Sequence, residues 1–175
     1  MDKLKKHLPL ISAILAVLAF AMIIVPVIVN YYDVACDATY MFNGFQSIFG
    51  TRVEYYGSNH GLRFSFWNFV AYLLVIAAAV IGFTSKKRLN PKFGILSSVC
   101  GLASGVIFFL VLNTTTFAVQ GAQGYSIGPG AIIGGACAIL SAAAILIASI
   151  NQIKENKKPK EDVAEVEETT EVVSE

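Results

Sequence analysis

The side chains with the widest chemical range in this sequence are Cys36, Cys100 and Cys137, His60, and the acidic pair Asp33 and Asp37. Thiolate, imidazole and carboxylate hold a metal when they recur at short fixed spacings, and Cys36, His60, Asp33 and Asp37 match no such pattern. The histidine sits in Gly57-Ser58-Asn59-His60-Gly61 and reads as a solvated turn residue. Cys100 and Cys137 fall within apolar runs, where a free thiol acts as a small hydrophobe. Covalent catalysis needs a nucleophile beside a base, and no His/Asp/Glu cluster supplies one. The expectation is a protein that is not an enzyme and that holds neither metal nor cofactor. Asn113-Thr114-Thr115 has the form of an N-glycosylation acceptor, but it adjoins an apolar run and carries little weight.

What must position these residues is strongly apolar. Of 175 residues 55% are hydrophobic and 14% charged, with mean hydropathy +0.64; a soluble domain is nearer about 25% charged. Four uncharged runs, about 8–29, 66–84, 93–112 and 131–150, approach or exceed the roughly 20 residues that cross about 30 Å of hydrocarbon. Each is expected to be helical, because backbone groups unpaired in lipid are costly. The fold class is therefore all-α: an integral membrane four-helix bundle over residues 1–150, followed by a tail at 151–175. Lys3, Lys5 and Lys6 before the first run resemble the start of a signal peptide. That run is too long for one, and Asp33 spoils a lipoprotein-type site before Cys36, so the first helix is expected to be retained.

Charge sets the orientation. Lys3, Lys5 and Lys6, then Lys86, Lys87, Arg88 and Lys92, then Lys154, Lys157, Lys158 and Lys160 fall on one side, leaving Arg52 and Arg63 on the other. The positive-inside rule then puts both termini in the cytoplasm and the bundle in the cell membrane. A net charge of +1 with no basic face argues against a nucleic-acid partner. No ionisable residue lies within a span, so an ion-coupled carrier would lack its switch. The polar groups at depth are Ser12, Ser97, Ser98, Ser104 and Ser141, each able to bond a carbonyl of its own helix. Pro26 is expected to kink the outer end of the first span.

Helices meet in lipid through small residues. Ser97, Gly101 and Gly105 line one face of the third span, and Gly130, Gly134, Ala138 and Ala142 one face of the fourth. Gly101, Gly105 and Gly134 either pack the helices of one chain or serve self-association or contact with another membrane protein. Ala71, Ala78 and Gly82 offer a weaker face on the second span, and Ala13, Ala16 and Ala19 do not define one on the first.

The first outer loop, 30–65, is rich in aromatics and is expected to be structured, lying against the headgroup layer. Within it 38–49 reads as a short helix carrying Phe42, Phe45 and Phe49 as a stripe, stopped by Gly50. A short strand is expected over 51–56. The second outer loop, 113–129, is uncharged and punctuated by Gly121, Gly124 and Gly128; it reads as a flexible connector, with Pro129 near the first turn of the fourth span. The tail passes from lysines to Glu161, Asp162, Glu165, Glu167, Glu168, Glu171 and Glu175, the composition of a disordered segment beyond about Pro159.

Four spans with both ends inside and a larger first outer loop resemble the general plan of claudin-like and tetraspanin-like proteins over 8–150. The resemblance is of topology alone. The claudin loop has a Trp and a Cys pair, where this one has Cys36 alone and Trp67 at its far end; tetraspanins enlarge the second loop, which is short here. No residue or activity is carried over. The expected function is that of a non-catalytic accessory, scaffold or envelope-associated interaction protein, with the lipid bilayer and another membrane protein as partners. An oligomeric channel or passive transporter is the alternative.

Overall fold

Pro26 decides where the first helix stops, since it has no N–H to donate and forces the residue before it out of the helical region. Helix α1 (Asp2–Ala21) passes through one 3-10 turn at Met22–Ile24 to Val25, which is extended at φ −87 and ψ 146. Strand β1 (Pro26–Asp33) follows directly. The expected helix over 8–29 is thus corrected: its last four residues, with β-branched Val27, Ile28 and Val29, belong to a strand.

The computed structural model describes residues 2–33, 38–55, 58–84, 91–117 and 124–171, with side chains at 7–29, 41–52, 61–84, 91–117 and 124–154. Cys36, Asp37, Lys86, Lys87, Arg88 and Gly121 lie outside the described residues, as do the side chains of Asp33, His60 and the tail beyond Lys154. After β1 come β2 (Ala38–Asn43), α2 (Gly44–Phe49), β3 (Thr51–Tyr55) and β4 (Ser58–Leu62). Then follow α3 (Phe66–Thr84), α4 (Pro91–Phe109), the short α5 (Val111–Thr114), β5 (Tyr125–Ile127) and α6 (Pro129–Glu171). The backbone of α6 is helical well into the tail, and Pro129 opens it as expected.

Four helices are long and apolar enough to cross a membrane, with apolar stretches at His7–Ile24, Phe66–Thr84, Pro91–Phe109 and Pro129–Lys154. They form a ring in which α1 packs on α3 and α6, and α4 packs on the same two. Side-chain size is distributed inside out relative to a soluble bundle. Ala13, Ala16, Ala19, Ala71, Ala78, Gly101 and Ala138 are buried, whereas Ile14, Leu73, Val80, Leu96, Val106, Ile132 and Leu140 are exposed. That arrangement suits a bundle whose surroundings are as apolar as its core. Ala13, Ala16 and Ala19 of α1 recur every three residues, and all three are buried. The protein is a multi-pass membrane helical bundle.

The cap above the bundle is built mainly of strands, which amends the all-α class. Strand β1 is central in an antiparallel sheet of order β2-β1-β5, and β3 pairs with β4 as a separate hairpin. Val27, Ile28, Phe42, Leu62, Val111 and Ala131 form its apolar core. Because β1 continues α1 and β5 runs into α6, the sheet extends the contact between those two helices, with Gly128 N–H donating to Val27 O at 2.8 Å. Gly130 is needed there: a Cβ would lie 2.7 Å from Val25 O and 2.9 Å from Pro26 O. The end of the second loop is therefore closely packed, not a loose connector.

Candidate functional site

Polar side chains concentrate where the cap meets the bundle. Asn68, in the first turn of α3, is 3% exposed and must have its amide satisfied. Its Nδ2 donates to Ser47 O at 3.2 Å and to Thr115 Oγ1 at 2.8 Å, while Oδ1 accepts from Thr114 Oγ1 at 2.6 Å. Ser65 joins the same group, its Oγ donating to Thr114 O at 2.7 Å and its N–H to Ile48 O at 2.9 Å. One asparagine thus fastens α2, α3 and the end of α5 together. Just outside, Arg63 N–H donates to Thr116 O at 2.8 Å, and Leu62 bridges to Phe117. Sequence reading passed over Asn68; an amide inside the boundary of an apolar span was the available signal.

Below this cluster lies Tyr72, packed edge-on against Phe108 at 4.8 Å and Phe20 at 6.3 Å. Its hydroxyl is buried with no hydrogen-bond partner. The space among Val27, Ser47, Asn68, Ala71, Tyr72, Ile107, Phe108 and Val111 is too tight for a water that would serve it.

Phe42, Phe45 and Phe49 do not form the single stripe expected. Asn43 ends the strand and caps α2: its Oδ1 accepts from Gln46 N–H and its own N–H donates to Gln46 Oε1, both at 3.0 Å. This reciprocal box, legible as Asn43-x-x-Gln46, puts Phe42 in β2 rather than in a helix over 38–49. Phe42 is 1% exposed in the cap core, while Phe45 and Phe49 are 47% and 63% exposed on α2. Gly50 does end that helix, at φ 82. Next in the chain, the strand expected over 51–56 is β3 (Thr51–Tyr55).

The three singled-out glycines all face helices of the same chain. A Cβ on Gly101 would sit 3.1 Å from both Ala138 O and Ala142 Cβ, and one on Gly105 only 2.6 Å from Ile139 Cγ1. Gly134 is looser, with Met22 Cβ at 3.4 Å. Ser97, Ser104 and Ser141 act between helices, whereas Ser149 Oγ donates to Ile145 O within α6 at 2.8 Å. Ser97 Oγ donates to Ala78 O at 3.3 Å and Ser104 Oγ to Ala71 O at 2.9 Å, two bonds one heptad apart on both partners. Ser141 Oγ donates to Ser12 O at 2.8 Å, with the two hydroxyls 3.0 Å apart. Among the described residues no three His, Cys, Asp or Glu side chains gather into a metal site. No protein-family model, curated protein or solved structure matches this chain.

Proposed function

We propose that the chain is a non-catalytic accessory or scaffold protein of the cell membrane, with both termini and the acidic tail in the cytoplasm and the strand-bearing cap outside. The observation that carries this reading is the use of polar side chains within the bundle. Ser12, Ser97, Ser104 and Ser141 are each committed to a neighbouring helix, and Tyr72, Val75, Ala79 and Phe108 fill the interior between them. A conducting path needs groups that replace the hydration shell of an ion, and these hydroxyls are turned toward carbonyls instead. The orientation is supported by Lys3, Lys5 and Lys6 at the start of α1, Lys92 at the start of α4 and Lys154 in α6, all at the end opposite the cap.

With Phe42 buried, partner contact is assigned to exposed residues of the cap such as Met41 on the edge strand β2 and Arg52 on β3. A photo-crosslinking residue at Met41 or Arg52 in native membranes should capture a different membrane protein, and purified chain in liposomes should pass no ions above protein-free controls. Selective flux altered by Ser104→Ala would replace this reading with that of a channel.

A further inference from the structure

Helix α2 sits lower than the end of the spanning helix beside it. Gly82 and Ala13 mark one level, because a Cβ on Gly82 would lie 3.1 Å from Ala13 Cβ. Ten residues further along each helix, Tyr72 and Ile23 meet again around Gly44, where an added Cβ would overlap the Tyr72 hydroxyl and lie 2.8 Å from Ile23 Cα. From that level α3 continues as helix for six more residues to Phe66, but α1 leaves helical geometry after Ile24. The notch left above α1 is occupied by α2.

The depth of the notch follows from α3. Its 19 residues span about 28 Å at 1.5 Å each, barely the thickness of a hydrocarbon core, so all of it is needed to cross. Counted from Phe66, Asn68 is about 3 Å and Tyr72 about 9 Å inside the boundary; side chains lean toward the helix N-terminus, so these are upper figures. Helix α2 touches both residues, through Ser47 O and Gly44. Ile48 belongs to the buried apolar cluster of the bundle that includes Ile23, Tyr72 and Val75, and not to the cap core.

Lipid at that depth demands a backbone satisfied internally. The N-terminus of α2 is closed by the Asn43–Gln46 box, Gly50 N–H donates to Gln46 O at 2.9 Å, and Ser47 Oγ donates to Gly44 O at 2.8 Å. Phe45 and Phe49, one turn apart, stand on the face opposite Gly44, Ser47 and Ile48. They continue the lipid-facing surface of the bundle: Ile24 below them and Phe64, Phe66 and Trp67 around the start of α3 are all more than half exposed.

We propose that α2 is an interfacial helix seated in the cap-side leaflet, with Phe45 and Phe49 inserted among the upper acyl chains. The test uses full-length chain in phosphatidylcholine vesicles. Trp67→Phe is combined with Phe45→Trp or Phe49→Trp, and emission is compared for lipids brominated near the headgroup and near the chain end. Both new tryptophans should emit as blue-shifted as the native Trp67, and headgroup-proximal bromine should quench them at least as strongly as it quenches Trp67. Red-shifted, unquenched emission would overturn the proposal in favour of a water-exposed helix. Blue-shifted emission that no bromolipid quenches would overturn it in favour of a second copy or another protein over this face. In the unaltered chain, a lipid with a photoactivatable carbene near its headgroup should label 44–49; labelling of Phe66 and Trp67 without 44–49 would likewise refute it.

Discussion

Gly105→Ala tests how closely α4 and α6 approach. The new methyl would come within 2.6 Å of Ile139 Cγ1, roughly 1 Å inside an ordinary carbon contact, and within 3.1 Å of Gly135 O. Overpacking of this kind costs about 1–3 kcal/mol, offset by the gain of about 1 kcal/mol that alanine has over glycine in a helix. The net expectation is a loss of about 0–2 kcal/mol. Ile139→Ala removes the clashing atom, so adding Gly105→Ala in that background should be neutral or stabilising, with a coupling of about 1–2 kcal/mol. Gly134→Ala is the internal control, because its methyl would meet Met22 Cβ at 3.4 Å, an ordinary contact. The parent and the four variants would be unfolded reversibly in mixed micelles of rising sodium dodecyl sulfate content and followed by helical circular dichroism. Strict additivity of Gly105→Ala and Ile139→Ala, or a Gly134→Ala cost equal to that of Gly105→Ala, would refute the close approach.

Asn68→Leu should lower stability in the same assay by about 2–4 kcal/mol, since three hydrogen bonds to Ser47, Thr114 and Thr115 are lost together; parity with the parent would mean that the cluster does not hold the cap. Tyr72→Phe removes a buried hydroxyl without a partner and should leave stability unchanged or raise it by about 1 kcal/mol, whereas a marked loss would reveal a bond to that hydroxyl. It should also soften the penalty of Gly44→Ala, measured as a smaller difference between the two backgrounds. In a chain stripped of Cys36, Cys100 and Cys137, a thiol at Thr116 should react with an impermeant maleimide on intact cells and one at Lys154 only after lysis; the reverse pattern would invert the orientation.

Hydropathy located α3 within a residue because charged or turn-forming residues bound it on both sides, and it placed α4 and the start of α6 nearly as well. It overran α1 because Val27, Ile28 and Val29 are as apolar as the helix before them, and burial inside a sheet looks like burial in lipid to such a scale. Pro26 was the readable stop, stronger than the kink assigned to it. The small-residue faces were visible as spacings, but which helix each glycine meets depends on how the ring closes. The same holds for the serines: Ser104 to Ala71 O is a matter of antiparallel register between helices, which no local pattern encodes. Strand β5 has three residues and pairs with a strand nearly a hundred positions earlier, too short and too remote to announce itself. The aromatic stripe failed at one residue, Asn43, whose side chain prefers to cap a helix than to lie inside one.

The central position of β1 sets an order on assembly. Its partner β2 leaves the ribosome almost at once, but β5 begins 92 residues after Asp33, a wait of about 5–20 s at ordinary synthesis rates. The helix that carries Ser141 to Ser12 comes later still, 129 positions on. Until then the β1–β2 hairpin has an open edge and α1 an uncovered flank, both available to a neighbouring nascent chain. The final helix and the strand before it close both gaps in one step, so a chain halted before Tyr125 would be left open above the membrane and within it.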